Sequence, residues 1–188
     1  YLFFHLKSKC THMIDFITTS VLLFGSSEAT IQLPEGLAKA LIAAHSGWRY
    51  IILILLVMAI IYGKQTASGK KPFEGGTKKM GMFTMIAVDI QLLGGLVLYF
   101  FFMASQTMFK MGKLKDQMGI SEFRNIAVEH AIGMLIALVL IHIGYSKAKK
   151  ALNDTEAGKK QYVFYLIALI VILLSIPWPF LHPERGWF

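Results

Sequence analysis

His45, Arg49, Asp89, Gln91, Glu129, His130 and His142 are the residues of this chain whose types could do chemistry, and each lies in or at the edge of an apolar run. Ionisable groups at membrane depth are costly, so they mark either a site or a paired contact. Two neutral imidazoles at matched depth on facing helices could clamp a planar iron cofactor. Histidine is a common axial ligand of haem iron, and the cores of helical bundles are where such sites are built. His45 and His130 are the candidate ligands. The plainer reading has both as bundle-facing polar residues bonded to backbone or to each other; another metal or a quinone contact is a third.

The elements that must position these residues follow from composition. Of the 188 residues, 55% are hydrophobic and 16% charged, and the mean hydropathy is +0.57. A soluble domain of this length carries more charge. A helix needs about 20 mainly apolar residues to cross the hydrocarbon core. Four stretches meet that, at about 37–62, 80–103, 125–146 and 161–176. The expected fold is all-α, an integral membrane four-helix bundle over residues 37–188. The net charge of +8 comes from lysines clustered between the apolar spans. That pattern belongs to loops facing an anionic membrane surface rather than to nucleic-acid binding. The lone Cys10 excludes an intrachain disulfide and a cysteine metal cage.

Residues 1–36 stand apart. Lys7, Lys9 and His12 precede a short apolar run, Phe16 to Phe24, followed by small residues. The pattern is that of a signal peptide, an interfacial helix, or upstream sequence with Met13 as the natural start. Pro34 and Glu35 suit the first turn of a helix. Pro177 and Pro179 lack a backbone donor and should end the last span. Trp178 and Trp187 suit the membrane interface.

Lys64, Lys70, Lys71, Lys78 and Lys79 follow the first span, and Lys147, Lys149, Lys150, Lys159 and Lys160 follow the third. The opposite side has fewer: Lys39, Lys110, Lys113, Lys115, Arg124 and Arg185. The positive-inside rule puts the first group in the cytoplasm and both termini on the outer side. His45 and His130 then sit within a turn of each other in the outer half. Gly133, one turn past His130, would leave room for a macrocycle. Arg49, one turn past His45, could pair with a haem propionate, with Glu129 or with Asp89. Asp89 and Gln91 could accept from a histidine's second nitrogen. His142 is about 18 Å further along its helix than His130, so the chain supplies at most one bis-histidine haem.

HSGWRY at 45–50, DIQLLGGLVLYF at 89–100, AVEH at 127–130, and SIPWPF with a terminal GWF resemble a group of small bacterial four-helix membrane proteins labelled cytochrome b-like. The resemblance covers about residues 38–188. It implies a b-type haem on His45 and His130 and a multi-pass protein of the bacterial inner membrane. The better-known cytochrome b folds hold two haems on two histidine pairs; this chain has one pair. Electron transfer, from a quinol or to a periplasmic partner, is the expected function. A cofactor-free accessory or structural subunit of a larger membrane complex is the alternative. A proton or ion path through Asp89, Glu129 and His142 is a third. No nucleophile–base constellation points to an enzyme.

Overall fold

A computed structural model describes residues 34–100, 119, 124–178 and 180. The expectations placed on residues 1–33, on the amphipathic segment at 108–119 apart from Gly119, and on His182, Arg185 and Trp187 lie outside the described residues. Four helices are long and apolar enough to cross a membrane, and no strand occurs among the described residues. They are α1, Glu35–Ala67; α2, Lys78–Leu98; α3, Ala131–Lys149; and α4, Asp154–Ser175. A π-helical turn, Asn125–His130, leads into α3.

The helices outrun the apolar windows read from sequence. α1 continues through Lys64 to Ala67, and the lysine-rich stretch between α3 and α4 shrinks to residues 150–153. Lysines suit a helix interior and complement the negative end of the dipole in the last turn of α3. Asn153 caps α4, its side chain accepting from the Glu156 amide at 2.8 Å. Asp154 and Glu156 then occupy the first turn, where acids complement the dipole. Asn153→Ala should cost about 1 kcal/mol, read as a lower thermal midpoint in detergent. The turn before α2 needs positive φ at Gly69 (+74°) and Gly75 (+91°), which glycine adopts without a Cβ penalty. α4 ends where expected: Ile176, before Pro177, is extended (ψ 127°), as a residue preceding proline prefers.

α1 packs broadly on α2 and α4, and α4 on α3; the α2–α3 seam is the sparsest of the four neighbouring interfaces. The chain thus runs round the bundle in order, with α1 diagonal to α3. The core comes from one stripe per helix, such as Ile52, Leu56 and Ala59 on α1 and Tyr165, Ala168 and Ile172 on α4. Phe83, Ile86, Ile90, Leu93 and Val97 of α2 stay exposed, as a lipid-facing stripe would. In lipid, apolar contact alone does not drive association; close packing at small residues and polar contacts do. Both occur at the lysine-rich end. Gln161 Nε2 donates to the carbonyls of Ala59 (3.2 Å) and Thr77 (3.3 Å). Tyr165 donates to the Gly81 carbonyl at 2.9 Å. The Thr66 and Thr77 hydroxyls share a 2.8 Å bond.

Burial is uneven along the axis. On α1 the fully buried residues begin at Ile52, and on α2 they end at Val88. Towards the other end, where His45 and His130 lie, the described residues of α1 and α2 are half-buried or exposed.

Candidate functional site

His45 and His130 come together across the bundle diagonal. Their ring centroids are 6.5 Å apart and the ring planes 77° apart. Each ring is set by a different neighbour. α1 and α2 are stapled by side chains that donate to backbone: Trp48 Nε1 to the Ala87 carbonyl and Gln91 Nε2 to the His45 carbonyl, both at 2.9 Å. These bonds hold the His45 ring against Gly94 and Gly95. A Cβ at Gly95 would sit 3.2 Å from His45 Cε1. His45 Nδ1 is buried without a hydrogen-bond partner, a position that costs free energy unless something arrives to use it.

His130 closes the π-helical turn, a distortion often found at functional sites. Its Nδ1 is 2.9 Å from the Ser175 carbonyl oxygen. A carbonyl only accepts, so Nδ1 carries the hydrogen and, in the neutral ring, the lone pair is on Nε2. That is the arrangement that fixes the tautomer of a metal-ligating histidine. The prolines explain why Ser175 is available. In a continuing helix the carbonyls of Leu173 and Ser175 would accept from residues 177 and 179, which are both proline and have no N–H. The Trp178 indole serves Leu173 at 2.9 Å, and His130 serves Ser175.

The other expected residues divide. Arg49 lies one turn below His45 beside Tyr50 and Trp178. Its Nη2 donates to the Tyr50 hydroxyl at 3.1 Å, and its guanidinium lies 5.7 Å from the Trp178 ring centroid. Glu129 is exposed and binds Arg124 at 3.1 Å and Asn125 at 3.2 Å, so it points out of the bundle. Asp89 meets His142, whose Nε2 is 3.3 Å from its carboxylate, rather than the pair His45 and His130. Gln91 supports His45 through its backbone carbonyl, not as an acceptor for a ring nitrogen. Gly133 is not an open gap. A Cβ there would run into the Ser175 side chain, so it lets α3 and α4 approach closely. The glycines that border a histidine are Gly94 and Gly95, whose missing side chains let the His45 ring pack on α2. Ser175 is a partner that no ionisable residue marks in the sequence; its signal is the spacing of Pro177 and Pro179, which leaves carbonyls without helix donors.

The 6.5 Å centroid separation is close to that of two imidazoles on one metal ion. With metal–imidazole bonds of about 2 Å, two rings facing each other across one ion have centroids about 6 Å apart. Among the described residues no group of three or more His, Cys, Asp or Glu could hold a metal ion. Haem needs only two axial side chains, because the porphyrin supplies the remaining nitrogens. Comparison with protein-family models, with curated proteins and with solved structures finds no match to this chain, so the site stands on its own geometry.

Proposed function

We propose that this chain is a membrane electron-transfer protein holding one b-type haem between His45 and His130. The observation that carries the reading is the meeting of two imidazoles from diagonal helices at 6.5 Å. The unpartnered Nδ1 of His45 and the packing of its ring on the bare backbone of Gly94 and Gly95 support it. When bound, haem would supply a one-electron redox couple tuned by its axial ligands and surroundings. The protein's part is to hold both rings, exclude water and place charge. Gln91 and Trp48 hold α1 against α2, and Ser175 orients His130. Arg49 puts a cation at the same end, suited to an anionic propionate.

On the same reading the lysine-rich end faces the cytoplasm of a bacterial inner membrane. The histidines and both termini then lie near the outer face. A quinol would donate electrons, or a periplasmic protein accept them.

A reduced-minus-oxidised visible spectrum of detergent-purified protein tests the proposal. Wild type should give a low-spin b-type spectrum that both His45→Ala and His130→Ala lose. A colourless wild type after growth with added haem would sink it.

A further inference from the structure

A second pair of ionisable groups lies in the spans, away from the His45–His130 site. On α2, Asp89 is the one charged residue after Lys79, and on α3, His142 is the one Asp, Glu, Lys, Arg or His before Lys147, with Tyr145 the one further titratable group. They meet across the sparse α2–α3 seam, His142 Nε2 to Asp89 Oδ1, at 3.3 Å. Residues 50–63 of α1 and 161–175 of α4 carry no Asp, Glu, Lys, Arg or His; their titratable groups are Tyr50, Tyr62, Tyr162 and Tyr165.

The acceptors fix the hydrogens. His142 Nδ1 is 3.0 Å from the Leu138 carbonyl oxygen, so Nδ1 carries a hydrogen. An ionised Asp89 also only accepts. An attractive contact at Nε2 therefore needs one more proton, on Nε2 or on the carboxyl. With that proton the pair is neutral, as imidazolium and carboxylate or as imidazole and acid. Without it, two lone pairs face each other and an uncompensated negative charge sits in the span, which is expensive.

A sealed polar pair would be simple helix–helix glue. Helix packing alone does not enclose this one: the two side chains keep 40% and 44% of their surface outside protein contact. A cleft also opens at the lysine-rich mouth of the same seam, lined by Glu74, Gly75, Lys78, Lys79, Met82 and Tyr145. Tyr145 is about 4.5 Å along α3 from His142, and Met82 about 10 Å along α2 from Asp89. We infer that Asp89 and His142 form a single-proton binding site inside the membrane span, loaded from the lysine-rich side through this cleft. In the loading step a hydronium ion gives up its proton and becomes water. The pair goes from a charge of minus one to zero, and no electron moves. The site does not depend on whether haem is bound.

Infrared difference spectra of the full chain in lipid nanodiscs, taken between mildly acidic and alkaline pH, test this. Wild type should show one reversible change in which carboxyl and imidazole bands move together. Asp89→Asn and His142→Gln should each lose it, and Asp89→Glu should keep it. If Asp89→Asn does not fold, the other two variants still decide. A wild type with no reversible change, or a carboxyl band that titrates unaltered in His142→Gln, overturns the site. Met82→Trp, which fills the cleft, should slow the response to a pH jump without changing its end point; an unaltered rate overturns the entry route.

Discussion

Gly158→Leu is expected to abolish the folded bundle, and Gly158→Ala to weaken it sharply. Gly158 sits in the first turns of α4, where that helix crosses the end of α1. A Cβ added there would collide with the Ala67 amide nitrogen, the Gly63 carbonyl oxygen and the Thr66 side chain. Two of those three are backbone and cannot swing aside. The reciprocal position is as tight: a Cβ at Gly63 would lie 3.0 Å from the Tyr162 amide nitrogen. Overpacking costs about 1–3 kcal/mol where side chains can adjust. Here the helices themselves must separate, so the upper part of that range applies to alanine. The gain in helix propensity, about 1 kcal/mol for Gly→Ala, offsets only part of it. Separation would also strain the buried bonds from Gln161 to Ala59 and Thr77. Thermal unfolding and gel filtration in detergent would read the effect. Gly47→Ala is the control, since a Cβ there meets nothing within 4 Å. If Gly158→Leu stays monodisperse with a wild-type midpoint, the α1–α4 contact does not hold the bundle.

What the sequence made legible was set by length scales. Spans of about 20 apolar residues are conspicuous, so four helices and their order follow from the sequence. Their ends could not be read from hydropathy, because lysine-rich turns such as those ending α1 and α3 are polar and helical at once. The facing of His45 and His130 was accessible because depth along a helix follows from residue count. Azimuth was harder. Gly133 and Gly95 both lie near a histidine in depth, yet one packs on Ser175 and the other on His45. Which one borders a histidine ring depends on the rotation of each helix, to which weakly patterned apolar sequence gives little guide. The same rotation gave Asp89 to His142 and turned Glu129 outwards to Arg124. Charges that looked interchangeable as partners for Arg49 were separated by a fraction of a turn.

That azimuth supplies the prediction with the largest effect on the proposed cofactor. Gly95→Leu should leave the bundle folded and remove the haem spectrum. The edge of the His45 ring faces Gly95, with Cε1 3.2 Å from where a Cβ would lie. A single methyl asks the ring to yield by a few tenths of an ångström; a leucine side chain has to occupy the space beside the ring. His45 then moves off the line to His130, or the cofactor loses its room. Stability should move the other way. A helix gains about 1 kcal/mol when glycine is replaced by a good helix former, and Gly95 is only half-buried, in the loosely packed end of α2. The two readouts therefore part company: haem content falls while the thermal midpoint of the protein without cofactor holds or rises. Gly94→Ala provides the contrast, because its Cβ would make only an ordinary contact with the ring, 3.7 Å from His45 Nδ1, and should lower haem content far less than Gly95→Leu. Full haem retention in Gly95→Leu would mean that this face of His45 does not border the cofactor. The histidine pair would then have to bind it from the opposite edge, towards α4.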